Sequence, residues 1–218
     1  MASDDVLRLS AGPDVTGEYE EKRSRFLGIL RRVDTEDDAR ALVTQARRDY
    51  PDARHHCSAF LVDVPGSNPV ERSSDDGEPA GTAGTAMLEV LRGSGLTGVA
   101  CVVVRWFGGT KLGTGGLVRA YGAAVREALA AGHAAHRVVR VIRTPAWTTE
   151  VDHGVAGKLE SELRVAGAEV LDVAYGSTVS VRVASEESVI TPILASVTSG
   201  NAQWVRTGTA SREQIVEN

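Results

Sequence analysis

Three short stretches carry the residues able to do chemistry. The first is "GGTKLGTGG", residues 108–116, with Lys111 among five glycines, flanked by Arg105 and Arg119. Glycines let a backbone turn tightly or let a ligand approach it. Cations among them suit a phosphate. The second is "SSDDGEPAGTAG", residues 73–84, where Asp75, Asp76 and Glu78 put three carboxylates in four positions. Such a group can hold Mg²⁺, do acid–base work, or form a turn. The third is "HHC", residues 55–57. In an extended chain His55 and Cys57 share one face and His56 takes the other. With no second cysteine pair nearby, strand packing is favoured over metal ligation.

Two apparent motifs fail on context. "GSGLTG", residues 93–98, has the G-x-G-x-x-G spacing but leads into a strand, where a dinucleotide fingerprint needs a helix. In "GGTKLGTGG" no G-K-[ST] occurs, so it is not a Walker A loop. No H-E-x-x-H or G-x-S-x-G pattern is present, and no nucleophile–base pair stands out. The expectation is a non-enzymatic protein with no catalytic residue, metal or cofactor.

Hydrophobic periodicity supplies the frame. Residues 17–33 read as one strand bending at Gly28, and 35–50 as a helix capped by Thr35 with Asp38 three positions on. Residues 57–64 read as a strand, 65–84 as a long loop and 85–92 as a short helix. "VACVVVRW", 99–106, is a buried β-branched strand, and 116–131 a helix with Leu117, Val118, Tyr121, Val125, Ala128 and Leu129 on one face. The glycine stretch therefore links a buried strand to a helix whose N–H groups and dipole attract anions. Arg119 and Arg126, seven apart on that helix, share a face with Gly122 between them. A tight strand–helix crossing that needs small residues for packing alone is the competing reading.

Beyond residue 136 the pattern restarts: strand 137–145, helix 148–167, strands 168–175 and 177–184, a helix over 185–200 interrupted or restarted at Pro192, and a strand at 202–209. This βαββαβ order is ferredoxin-like. The chain divides into a tail (1–16), a first domain (17–133) and a second (137–218), of α+β class with a two-layer α/β N-terminal domain.

The net charge of -5 argues against a globally basic nucleic-acid binder. Charge is local instead. Residues 71–89 hold five acids against one base, and residues 99–136 hold four bases against one acid. The two segments can pair with each other or border one groove. Cys57 and Cys101 lie in apolar runs and read as reduced and buried. An acidic "MASDDVLRLS" start does not read as a signal peptide, and no apolar run is long enough for a span, so a cytoplasmic location and no membrane partner are expected.

Together "SRFLG" (24–28), "DDGEPAGTAG" (75–84) and "RWFGGTKLGTGGLVRAY" (105–121) resemble the YigZ/IMPACT family over roughly residues 17–130. Trp106 stands where the family usually has Tyr, and "HHC" replaces His-Asn-Cys. The resemblance implies a first domain like domain four of elongation factor G (ribosomal-protein-S-five domain-two-like) and a second like that factor's domain five. It implies no established enzyme activity. Eukaryotic relatives regulate translation initiation through a protein partner, and the likeness to a translocation factor implies RNA or ribosome contact without DNA specificity.

The resulting candidates for phosphate or RNA are Arg105, Gly108, Gly109, Lys111, Gly113, Gly115, Gly116, Arg119 and Tyr121. Asp75, Asp76, Gly77, Glu78 and Thr82 form the acidic loop, with Arg25 and His55 secondary. The alternatives are a metal-assisted enzyme on a small phosphorylated substrate and a protein-interaction module.

Overall fold

The computed structural model describes residues 6–64 and 67–216. They fall into two compact units, one of residues 6–141 with 213–216 and one of residues 142–212.

In the first unit β1 (Val6–Leu9) is followed by β2 (Val15–Glu21), β3 (Ser24–Arg32), α1 (Glu36–Asp49), β4 (His55–Val62), β5 (Val70–Ser74), α2 (Gly84–Gly93), β6 (Val99–Trp106) and α3 (Gly113–Ala134). Five strands form an antiparallel sheet in the order β2-β3-β6-β4-β5. The β-branched run of β6 is central and buried on both faces. Its Ala100, Val102 and Val104 meet Leu42 and Ala46 of α1. Its Cys101 and Val103 meet Met87 and Leu91 of α2 and Tyr121 and Val125 of α3. Alternation along one strand thus serves two helical layers.

Local chemistry starts α1 as the sequence predicts. Thr35 Oγ1 accepts from the Asp38 N–H at 3.1 Å and Asp38 Oδ2 accepts from the Thr35 N–H at 3.0 Å, a complete capping box.

In the second unit β7 (Val138–Val151), which begins in the first, is followed by α4 (His153–Val165), β8 (Glu169–Tyr175), β9 (Val179–Ala184), α5 (Glu187–Thr198) and β10 (Val205–Ile215). The element order is βαββαβ and the strand order β10-β7-β9-β8, a split-βαβ arrangement. Its core is Leu159 and Leu163 of α4, Ile190 and Leu194 of α5, and Val179, Val181 and Val183 of β9. No helix among the described residues is long and apolar enough to cross a membrane.

Several expectations are corrected. The single strand over 17–33 is a hairpin. Lys22 and Arg23 form its turn with φ of 48° and 65°, a left-handed pair usually signalled by Asn or Gly. Gly28 is not a bend. It lets α3 approach β3, since a Cβ there would stand 2.5 Å from the Ala124 carbonyl oxygen. Residues 6–9, assigned to a tail, form β1 and pair with residues 138–141, while residues 1–5 lie outside the described residues. The loop over 65–84 contains β5, an edge strand whose polar "ERSS" hides it from a hydrophobic pattern, and residues 65 and 66 lie outside the described residues. Residues 148–151 continue β7 rather than open a helix, since Trp147, Thr149 and Val151 are buried in alternation. Pro145 is tolerated between the stretch paired with β1 and the stretch paired with β9. Pro192 lies inside a continuous α5, and β10 runs to residue 215.

Because α3 rests backbone-to-backbone on β3 at Gly28, Gly28→Ala is expected to cost about 1–3 kcal/mol. Urea denaturation of variant and parent measures this.

Candidate functional site

Several of the candidate residues converge at the end of the first unit's sheet where β6 ends and β4 begins. Arg105, the penultimate residue of β6, lies opposite His55 of β4 and Phe26 of β3. Its side chain takes the α3 face, with the guanidinium 5.4 Å from the Phe26 ring centre and 5.8 Å from that of Phe107. Arg105 is 6% exposed. Its Nη1 donates to Glu78 Oε1, and the Tyr121 hydroxyl donates to the same oxygen at 2.8 Å. The Glu78 side chain is only 5% exposed, so this pair is a buried one. One member of the acidic loop and one of the basic segment therefore pair directly. Burial raises the Tyr121 phenol beyond its ordinary value, with smaller contributions from Cys57 and Glu78, so Tyr121 keeps the proton that it donates to Glu78.

The other loop acids turn elsewhere. Asp75 accepts from the N–H groups of Gly81 (2.7 Å), Ala83 (3.0 Å) and Gly84 (2.8 Å) and so caps α2. Burial pushes its carboxyl up, but these three donors outweigh it and hold Asp75 below its ordinary 3.8. Asp76 accepts from the His56 N–H and from Arg47, each at 2.6 Å. Gly77, at φ of 84°, passes beneath the His55 ring, and the buried Thr82 donates to the Pro79 carbonyl at 2.6 Å. The three carboxylates are thus occupied by three different sets of donors. Among the described residues no three His, Cys, Asp or Glu side chains gather as metal ligands.

His55 Nδ1 lies 2.9 Å from the Asp76 carbonyl oxygen and donates to it when protonated there. Its Nε2 is 3.8 Å from Glu78 Oε1. Cys57 shares that face, as the sequence predicts, and its thiol donates to the Asp75 carbonyl at 3.0 Å. Burial pushes both the Cys57 and Cys101 thiols up to about 12, which removes them as nucleophiles near neutrality.

The glycines divide by role. Gly108 lies under the β2–β3 turn, where a Cβ would collide with the Arg23 backbone, and its N–H donates to Ser24 Oγ at 3.1 Å. Gly116 packs against Leu112. Gly109 and Gly113 have φ of 87° and 73° with open space around them, and so turn the chain into α3. Gly115 is exposed. The helix starts three residues earlier than predicted, with Leu112 at the N-cap position, no side-chain cap and no acid in its first turn. Its leading N–H groups have no acceptor on a preceding turn.

These elements enclose a cleft of about 490 Å³. Of the predicted residues, Arg105, Lys111, Gly113, Glu78 and His55 line it. Gly108, Gly109, Gly115, Gly116, Tyr121, Asp75, Asp76, Gly77 and Thr82 do not. Arg119 lies outside it on the exposed face of α3 with Arg126. Arg25 belongs to the opposite face of the sheet, where it pairs with Glu18 at 2.9 Å and stacks 4.8 Å from the Trp106 ring. Sequence reasoning missed Arg54, Pro79, Phe107, Leu112, Thr114 and Leu117. Phe107 and Thr114 sit within or beside the glycine run, so only their apolar or neutral type concealed them.

Similarity to known proteins follows this geometry. The profile described as "Impact N-terminal domain" matches residues 22–129, and "Domain of unknown function (DUF1949)" matches residues 149–200. The chain is 40% identical to IMPACT family member YigZ of Escherichia coli (strain K12) over 78% of this chain and 81% of that protein. The chain belongs to the IMPACT family. Another IMPACT relative, YvyE of Bacillus subtilis (strain 168), is 36% identical over 90% of this chain and 84% of its own length. A solved structure described as that of a hypothetical protein superposes with a TM-score of 0.60 at 34% identity, covering 94% of this chain and 98% of that one. The IMPACT profile spans all three sequence stretches that converge near the cleft.

Two tests follow. Tyr121→Phe removes one of the donors to buried Glu78 and is expected to destabilise the protein by about 1–3 kcal/mol, read by urea denaturation. Asp75 is held below its unfolded value, so its contribution is present above pH 3.8 and is lost as pH falls through the folded value. The stability gap between parent and Asp75→Asn should therefore narrow from pH 6 to pH 3. A constant gap overturns the assignment.

Proposed function

We propose that this protein is a cytosolic, non-enzymatic, translation-linked regulator that binds RNA phosphates through α3. The observation that carries the reading is the helix itself. It presents an uncapped N-terminus beside Lys111, and along its exposed face Arg119 and Arg126 make no ion pair among the described residues. Arg126 lies across Gly122, where a Cβ would stand 3.3 Å from its Nη1. Unpaired cations on a rigid helix are available to phosphate at little cost in ordering. The link to translation rests on what the family resemblance implies, as does the likeness to elongation factor G domains four and five. The net charge of -5 makes the contact local and salt-sensitive rather than broad.

The surface differs from the one expected from sequence. Arg105 is buried beside Glu78, so the exposed row available to RNA is Lys111, Arg119 and Arg126. A metal-assisted enzyme finds less support, because Asp75, Asp76 and Glu78 are each engaged by donors of the protein.

Fluorescence anisotropy with a 5′-hydroxyl single-stranded RNA, over a salt series, tests the reading. Affinity should fall steeply with salt, and Arg119→Ala/Arg126→Ala should lower the log–log slope by about 1.4, two phosphate contacts at about 0.7 each. No binding at low salt, or an unchanged slope in the folded variant, overturns it. Nuclease-resistant capture of ribosomal proteins in that case favours a protein partner.

A further inference from the structure

We infer that the cleft at the start of α3 is a pocket for the phosphate monoester of a nucleotide, the phosphate on the helix N-terminus and Lys111, the base against Phe107. The ligand chemistry is shared by a free nucleoside monophosphate and the 5′-phosphorylated end of an RNA. The inference rests on the reading above only in taking phosphate as the group recognised, and it does not need Arg119 or Arg126.

Size, charge and unused donors point the same way. A volume of about 490 Å³ lies within the range of small-ligand pockets, roughly 300–1,000 Å³. The lining holds three cations, Arg54, Arg105 and Lys111, against one carboxylate, Glu78, which leaves a net of +2 from the Arg, Lys and Glu side chains. A phosphate monoester carries about -1.5 to -2 near neutrality and matches that charge, whereas a diester carries one. Arg54 and Lys111 make no ion pair among the described residues.

The helix terminus is accompanied by an independent sign. The Arg105 side chain is 7% exposed and lines the cleft, yet only its Nη1 is used, on Glu78. Its Nε is fully buried with no hydrogen-bond partner among the described residues. Its Nη2 also makes no hydrogen bond among the described residues and, unlike Nε, is not fully buried, so the guanidinium keeps a donor in the cleft wall for an acceptor. At the cleft's end Gly113 and Thr114 open α3 with no capping side chain and no acid. At the same end of the sheet the α2 terminus is filled by Asp75. The remaining wall is apolar, from Leu112, Leu117 and half-exposed Phe107, which suits a planar ring rather than inorganic phosphate alone.

Isothermal titration of the full chain with AMP, UMP, uridine and inorganic phosphate tests this. Both nucleotides should bind, uridine should not, and inorganic phosphate should bind more weakly than either nucleotide. Lys111→Ala should weaken UMP about tenfold or more. Phe107→Ala should weaken UMP but not inorganic phosphate. Thr114→Glu is the variant that protects against misfolding as an explanation: an acid in the first turn favours the helix, so the melting temperature should hold or rise while nucleotide binding is lost. Arg119→Ala/Arg126→Ala should leave UMP binding unchanged. A matched pair of 5′-phosphate and 5′-hydroxyl RNAs separates the sources: preference for the phosphorylated end identifies RNA, and equal binding identifies the free nucleotide. Failure of AMP and UMP to bind at millimolar concentration, uridine binding as well as UMP, or full binding by Thr114→Glu overturns the inference. Salt-sensitive RNA binding that depends on Arg119 and Arg126 would then stand on its own.

Discussion

One buried carboxylate ties the candidate site together. Glu78 accepts from the Arg105 guanidinium and from the Tyr121 hydroxyl, so the acidic loop, the end of β6 and the body of α3 meet at a single oxygen. Removing two charges from water is costly, and their attraction repays this only when further hydrogen bonds are made. Tyr121 supplies one, and the rings of Phe26 and Phe107 beside the guanidinium supply a favourable environment for its charge. The arrangement gives position more than stability. It fixes where Pro79 and the loop stand relative to the α3 terminus, and so defines the width of the cleft.

The same constraint separates residues that look alike in the sequence. Arg105, Lys111 and Arg119 read as one basic set. β6 buries the first, the loop before α3 exposes the second at the cleft, and the helix turns the third to the outer face. The acids divide in the same way, each taken by a different set of donors. Spacing along the chain gave residue types but not their directions.

Legibility followed the strength of local signals. The β-branched run of β6, the Thr35–Asp38 cap and the apolar face of α3 rest on short-range physics and are present in the fold. The hairpin at Lys22–Arg23 was hidden because two ordinary cations adopt left-handed φ there. β5 was hidden because an edge strand with a polar outer face carries no period of its own. At the site, charged residues were recognisable by type, whereas Phe107, Leu112 and Leu117 become cleft walls only when long-range packing brings them there. Glycine clustering was readable as meaningful, but it mixed two causes, close packing at Gly108 and chain reversal at Gly109 and Gly113.

The hydrogen bonds of the acidic loop differ in reach. Those of Asp75 to the loop and α2 span six to nine residues. Those of Glu78 span 27 and 43. Short closures cost less chain entropy than long ones. The start of α2 is thus tied by contacts near in sequence, whereas the cleft wall depends on contacts far apart along the chain. A cleft held by contacts that distant is a property of the folded domain rather than of any fragment, and a ligand bound only there stabilises the native state alone.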